Sequence, residues 1–305
     1  MKSVTVHTAA TLSNLCCGFD ILGMALQQPY DIITINETEG TEISIKHLDN
    51  YGLTTDPKQN IAGVVLEAMR SYLKSTQGFE IIIEKKIKPG SGIGSSAASA
   101  AGVAVAANAI LQANFTQQQL VEFAMEGEVL ASGSRHADNL APCIYGGLVL
   151  IRDTPSLDII AIDTPELYIT IVHPQIEIKT SYARSILPKE LPLKTAITQW
   201  ANVAGLVTGF MQHDYSLISR SLKDVVAEPV RSPLIPGFNE VRERSMQVGA
   251  LGGGISGSGP SLFMLSQTAE IASLVEKEMQ SIYEKLGVEY KTYVTTIAKH
   301  GVRIV

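Results

Sequence analysis

Cysteine is scarce in this chain of 305 residues, with only Cys16, Cys17 and Cys143. An odd number without paired metal-ligand spacing excludes a disulfide framework and a cysteine zinc site. The three thiols are expected to be reduced and partly buried. No uninterrupted apolar run reaches membrane-spanning length, and Met1–His7 lacks the apolar core of a signal peptide, so a cytoplasmic location without a membrane partner is expected. Positive charge is also lacking: a formal net charge of −6 at pH 7 provides no general field to attract polyanions, so nucleic acid is not an expected partner. Internal repeats and low-complexity segments are absent. What remains, 45% apolar and 18% charged residues, is the composition of a soluble globular enzyme. The length exceeds that of a usual single domain, so two domains sharing an interface are expected.

Val4–His7 alternates like a strand, and Thr8–Asp20 follows as a polar, small-residue loop suited to binding. Asp31–Ile35 and Glu42–Ile45 read as strands joined by a turn over Asn36–Gly40, and Asn60–Leu73 has helical periodicity. Phe79–Glu84 is a strand, Ser96–Leu111 a helix, and Thr116 a good N-cap for a helix running through Glu128. Ser132–Asn139 breaks into a polar loop before a strand over Gly146–Ile151. Arg152–Ser156 has linker chemistry, which places a domain boundary near residue 155, with units over 1–155 and 156–305. Beyond it come a strand over Tyr168–Val172, helices over Lys194–Met211 and Tyr215–Val226, and a glycine-rich turn over Gly249–Pro260. Ser261–Leu265, a helix over Ala269–Leu286 and a terminal strand complete an α+β second half.

Lys88-Pro89-Gly90-Ser91-Gly92-Ile93-Gly94-Ser95-Ser96-Ala97-Ala98 stands between a strand and an alanine-rich helix, the context of a phosphate cradle. Its alternate glycines allow close backbone approach to a ligand. Ser95 stands where a P-loop carries lysine, and the glycine spacing misses the dinucleotide fingerprint. Taken alone, the stretch fits a tight structural turn as well as a ligand site.

Other residues give it company. Glu128 and a loop serine meet the needs of Mg²⁺ on a nucleotide, although periodicity fits a solvated helix face equally well. His136 by itself reads as a hydrogen-bonded structural histidine. Asp20 offers a carboxylate for an ammonium, Arg184 and Arg231 offer forks for a carboxylate, and Asn14 and Asn139 bind either polarity. Each arginine singly reads as a surface residue; together they describe a site for a small zwitterion if the fold unites them. The glycines of Gly249–Pro260 are explained equally by a turn or by the lining of the same cleft.

Ser13-Asn14-Leu15 with Gly18-Phe19-Asp20, the glycine loop at Lys88–Ala98, and Gly252–Pro260 occur in the order that resembles the GHMP kinase superfamily. Ser132-Gly133-Ser134, His136–Pro142, Glu228-Pro229, Arg231 and Leu234–Phe238 resemble in detail its homoserine kinases. The resemblance spans nearly the whole chain.

It implies a two-domain α+β fold, with a left-handed β-α-β crossover in the N-terminal domain and a ferredoxin-like C-terminal domain. It also implies ATP-dependent phosphorylation of the hydroxyl of L-homoserine to O-phospho-L-homoserine, on the route to threonine. Carried onto this chain, the family's substrate-binding residues are Asn14, Asp20, His136, Asn139, Arg184 and Arg231. Ser96 and Glu128 would meet Mg²⁺, Lys88–Ala98 the phosphates of ATP, and Asn60 the nucleotide base. Thr180 falls where the family places a hydroxyl near the reacting oxygen, and Asn139 where some relatives carry a basic aspartate. A homodimer is the expected assembly. The rival readings are a GHMP kinase for another small alcohol, whose substrate offers Asp20 no cation, and a non-catalytic regulator of the same fold.

Overall fold

The computed structural model describes all 305 residues. β1 (Ser3–Ser13) and β2 (Leu22–Thr38) form a long antiparallel pair on which the first unit is built. Along β2, Ile33 and Ile35 are fully buried and their neighbours are not, the period of two that places one face of a strand on a core. β3 (Ile43–His47) lies parallel to β4 (Gly78–Glu84), and β4 runs antiparallel to β2. Adjacent parallel strands need a crossover, which α1 (Ile61–Tyr72) provides. α2 (Ser95–Ile110), α3 (Gln117–Ser132) and the short α4 (Leu140–Tyr145) follow, then β5 (Leu148–Asp153), which pairs with Leu22–Met24 of β2, and β6 (Asp158–Ile162), which pairs with β5.

α2 is buried nearly all round, as a helix without a polar face must be. Its small residues permit that position: a Cβ on Gly102 would lie 2.6 Å from Ile33 Cδ1. α3 begins with a complete capping box, Thr116 bonding the Gln119 N–H while the Gln119 side chain reaches back to the Thr116 N–H.

The second unit contains β7 (Tyr168–Pro174), α5 (Thr180–Ser185), α6 (Leu193–Met211), α7 (Tyr215–Ser221), α8 (Glu228–Arg231) and α9 (Phe238–Gln247). It continues through β8 (Gly252–Ile255), β9 (Leu262–Ser266), α10 (Ala269–Leu286) and β10 (Tyr290–Thr296). Its sheet has the order β10-β7-β9-β8 with every pair antiparallel, the arrangement of a split βαβ, ferredoxin-like unit. The chain then returns as β11 (Arg303–Ile304) to pair with β1. A shared apolar cluster joins the units, with Leu12, Leu15 and Ile93 from the first packed with Phe210 and Phe263 from the second. No helix is long and apolar enough to cross a membrane.

Several local expectations are corrected. Thr8–Ser13 is strand, not loop, because β2 supplies its hydrogen bonds through Ser13 and buries its small side chains; only Asn14–Ile21 is irregular. Gly252–Ile255 is strand within the expected turn, in a place too tight for a side chain: a Cβ on Gly253 would lie 1.9 Å from the Phe263 carbonyl oxygen. α4 forms between the Ser132–Asn139 loop and β5, and α7 ends at Ser221 instead of continuing to Val226. Arg152–Ser156 is no linker: Arg152 and Asp153 end β5 and Thr154–Leu157 is the turn of the β5–β6 hairpin, where Asp153 accepts from the Ser156 N–H. The first sheet therefore persists to Ile162, and we place the division between the units at 163–167, later than residue 155.

Candidate functional site

A cleft of about 300 Å³ opens where the two units meet. Its walls come from the end of β1, the N-terminus of α2, the C-terminal turn of α3, the loop before α4, α5, α8 and the turn after β8.

α2 enters the cleft with its backbone donors unspent. Its N-cap is Gly94, which brings no capping side chain, and the N–H groups of Ser95, Ser96 and Ala97 find no backbone acceptor. Such a terminus carries partial positive charge and converging donors, the elements of an anion site. Gly90, Gly92 and Gly94 all have φ between 73° and 81°, a conformation that side chains other than glycine adopt at a cost. At Gly94 the need is also steric, since a Cβ would lie 2.0 Å from Thr11 Oγ1. The second glycine-rich segment buttresses this loop: Ser256 Oγ donates to the Gly92 carbonyl at 2.7 Å and Ser261 Oγ to the Ser91 carbonyl at 2.6 Å.

Within the stretch Lys88–Ala98 the side chains divide. Pro89, Gly90, Gly92, Gly94, Ser95 and Ser96 line the cleft. Lys88 instead donates to Gln175, Ser91 and Ile93 are buried, and Ala97 and Ala98 are core. Ser95 spends its hydroxyl on the Ile87 carbonyl, whereas Ser96 makes no side-chain hydrogen bond and faces the cleft. Asn60 is not at the wall. It caps α1, accepting from the Ala62 N–H and donating to the Thr54 carbonyl; its neighbour Ile61 and Leu53 line the cleft instead.

Glu128 lies one helical turn beyond Ala124, on the buried side of α3. Burial, with a smaller contribution from the Asp138 charge, pushes its carboxyl pKa up to about 7 against the lowering effect of the Ser132 hydrogen bond. The solvated face belongs to Glu126, which pairs with Arg135 at 2.8 Å. Glu128 and Ser96 offer hard oxygen donors, and no cluster of three or more acidic, histidine or cysteine side chains stands ready to hold a metal unaided. That donor set fits Mg²⁺ carried in on phosphate oxygens.

The opposite wall holds the charged set. Arg184 grips Asp20 through two nitrogens, at 2.8 and 3.0 Å, and His136 Nε2 lies 3.9 Å from the same carboxylate. Burial holds the His136 pKa below its ordinary value. Arg231 is buried, its Nε donating to the Ala183 carbonyl at 3.0 Å and its guanidinium to Gly257 at 3.1 Å. The Phe19 ring lies 5.3 Å from the Arg184 guanidinium and 5.1 Å from that of Arg231; its π-face offsets part of the repulsion between two neighbouring cations. Asn14 bonds Gly257 through its amide nitrogen and the Asp20 N–H through its oxygen, tying both walls together. Thr180 and Arg184, four residues apart on α5, share a face, and Thr180 Oγ1 lies 3.2 Å from Ser258 Oγ.

Asn139 sits between the two halves with its amide already engaged, accepting from Thr11 at 2.8 Å and donating to Ser13 at 3.0 Å. Beside it Asp138 is buried, and that burial, with the Asp20 charge second, pushes its pKa up to about 7.

Lys85 carries no signal in the sequence, where a lysine directly after a strand reads as solvated. It is buried at the cleft floor, donating to Asp31 at 2.5 Å, Ser99 at 2.9 Å and the Ser95 carbonyl at 3.0 Å. Those contacts fasten the first turn of α2 to β2.

Comparison with known proteins follows the same division. Residues 60–147 match the family model for the GHMP kinases N-terminal domain and residues 206–285 that for the GHMP kinases C-terminal domain. The chain is 44% identical to the homoserine kinase of Chloroherpeton thalassium over the full length of both. To that of Chlorobaculum tepidum it is 43% identical, over 100% of this chain and 99% of the relative. Among solved structures it is similar to the homoserine kinase of Cytophaga hutchinsonii, with a TM-score of 0.96 and 42% identity over 100% of this chain and 98% of the other.

Proposed function

The chain belongs to the homoserine kinases of the GHMP kinase superfamily, and from that premise we propose how its cleft phosphorylates L-homoserine with ATP to give O-phospho-L-homoserine. The observation that carries the account is the opposition, across one cleft, of an uncapped α2 N-terminus to the Asp20, Arg184 and Arg231 set. One wall suits a polyanion and the other a small molecule with both charges.

The N–H groups at Ser95–Ala97 and the loop from Pro89 to Gly94 receive the phosphates of ATP. Ser96 and Glu128 would hold Mg²⁺, which supplies neutralisation of charge on the phosphate oxygens when bound. Asp20 takes the ammonium of homoserine, and Arg184 and Arg231 take its carboxylate. His136 packs beside Asp20, and Asn14 and Asn139 fix the walls between which the substrate hydroxyl is aimed. Thr180 approaches that hydroxyl from α5.

The transferring phosphoryl group passes through a loose transition state, so alignment and charge neutralisation supply most of the barrier reduction. An amide is no proton acceptor, and Asn139 is in any case committed to Thr11 and Ser13. No dedicated base is therefore needed: the hydroxyl is held in line, and its proton leaves late to phosphate or water.

The substrate wall is tested by calorimetric titration. L-Homoserine methyl ester, which lacks the carboxylate charge, should bind at least about tenfold more weakly than L-homoserine while ATP binding is unchanged. Equal binding of ester and acid would remove the arginines from the substrate site. A cytoplasmic homodimer is the working assembly proposed with it, which sedimentation of the purified chain checks.

A further inference from the structure

Behind the cleft, one buried amide joins the elements that carry the two charged walls. Gln199, on α6, is 8% exposed. Its Nε2 donates to the Cys17 carbonyl at 2.8 Å and to Asp224 Oδ1 at 2.9 Å, while its Oε1 accepts the Val225 N–H at 2.9 Å. A glutamine amide has two N–H donors, and both are used, one across the junction of the two units to Cys17 and one within the second unit to Asp224.

The partners at each end matter for the site. Cys17 lies three residues before Asp20, on the loop that Asn14 pins to Gly257. Asp224 accepts from the N–H groups of Val226, Ala227 and Glu228 at 2.8 to 3.2 Å. It thereby fixes the start of α8, whose last residue is Arg231. Arg231 in turn holds the Ala183 carbonyl, next to Arg184, and Arg184 is forked on Asp20. The contacts close into a ring from Cys17 round to Gln199. Gln199 touches no part of the cleft, yet it is the side chain through which the Asp20 loop and the Arg231 turn are fastened to each other at the back.

We infer that Gln199 is a positioning residue: it sets the spacing of Asp20 against Arg231, and with it the selectivity for a substrate carrying both an ammonium and a carboxylate. The inference rests on the assignment of those residues to homoserine. Small displacements of a binding group carry large rate effects, and a site built for a charge rejects an analogue that lacks it only while its own partners stay in place.

The full-length Gln199→Leu variant tests this beside Arg231→Leu. For Gln199→Leu the KM for L-homoserine should rise roughly tenfold with the KM for ATP within about twofold, and preference for L-homoserine over 4-hydroxybutanoate should narrow. Gln199→Glu supplies a second readout. Its carboxyl carries one O–H, and only when protonated, so it can restore one of the two contacts to Cys17 and Asp224 and otherwise sets a second negative charge beside Asp224; its homoserine KM, taken relative to the parent at each pH, should fall between about pH 8 and about pH 6. Should Gln199→Leu fail to fold, this pH readout decides alone. A fall in kcat with unchanged homoserine KM and unchanged selectivity, or a pH-independent Gln199→Glu, would reduce Gln199 to scaffold and overturn the inference. If Arg231→Leu also leaves the homoserine KM unmoved, the site assignment itself has failed; if only the Gln199 variants are silent, the inference alone has.

Discussion

Asp20 and Arg184 are 164 residues apart in sequence and meet as a two-point fork at 2.8 and 3.0 Å. The pair spans the two units, and both side chains are about one third exposed, at 31% and 38%. Exposure of that degree weakens a pair through solvent screening. Under the proposed function its value is therefore in recognition: the carboxylate and the guanidinium would give a zwitterion both of its partners from one fixed geometry.

Asp20→Asn should lower kcat/KM for L-homoserine by about 30-fold, corresponding to about 2 kcal/mol, the lower end for a charge pair because of its exposure. The same variant should lose little with 4-hydroxybutanoate, which has no ammonium to miss. Steady-state kinetics on the two substrates makes the comparison, and an equal loss on both would place Asp20 outside ammonium recognition.

Protonation of Glu128 links pH to both stability and metal use. Its folded pKa, about 7, lies above the ordinary value of 4.5, so between those pH values the folded protein binds more protons than the unfolded chain. Stability from this group is greatest below the lower value and is lost as pH rises through the window. Glu128→Gln should thus raise the melting temperature at pH 8, with little effect at pH 4.5, and should raise the Mg²⁺ concentration needed for activity. In the parent, the Mg²⁺ requirement should grow as pH falls through 7. A Mg²⁺ requirement unchanged in Glu128→Gln would remove Glu128 from the metal.

Two glycines of the phosphate loop share a backbone conformation but not a neighbourhood. A Cβ at Gly90 meets nothing within 4 Å, whereas one at Gly94 meets Thr11 at 2.0 Å and Asn139 Oδ1 at 3.2 Å. Gly90→Ala should therefore cost only the left-handed backbone penalty of about 1 kcal/mol. Gly94→Ala should displace Thr11 and Asn139 and raise the KM of both substrates. Thermal melting with two-substrate kinetics distinguishes them, and similar behaviour of the two variants would contradict the steric argument.

Asp138 lines the cleft beside Asn139, and burial pushes its pKa up to about 7. The alignment mechanism predicts that Asp138→Asn keeps kcat within about tenfold, since loose phosphoryl transfer needs little deprotonation. Loss of several orders of magnitude with both substrate affinities intact would make Asp138 the base.

The sequence made some of this legible and concealed the rest for physical reasons. Thr116 announces α3 because an N-cap is local chemistry, and the structure completes it with Gln119 as a capping box. Thr8–Ser13 passed for a loop because its strand character comes from β2, not from its own small polar residues. Gly252–Ile255 passed for a turn because three glycines signal flexibility, whereas here they permit close strand pairing. At the site, residue types were readable one by one. That Asp20 would turn to Arg184, that Asn139 would be spent on Thr11 and Ser13, and that Lys85 would be buried on Asp31 depended on contacts between residues distant in sequence.

Phosphorus NMR of the reaction products offers the most direct test of the account. Incubated with Mg·ATP and L-homoserine, the protein should form ADP and a new phosphomonoester identical to O-phospho-L-homoserine, with no comparable turnover of mevalonate or galactose. ADP formation that ignores L-homoserine, or that proceeds as well with an alcohol lacking the ammonium group, would contradict it.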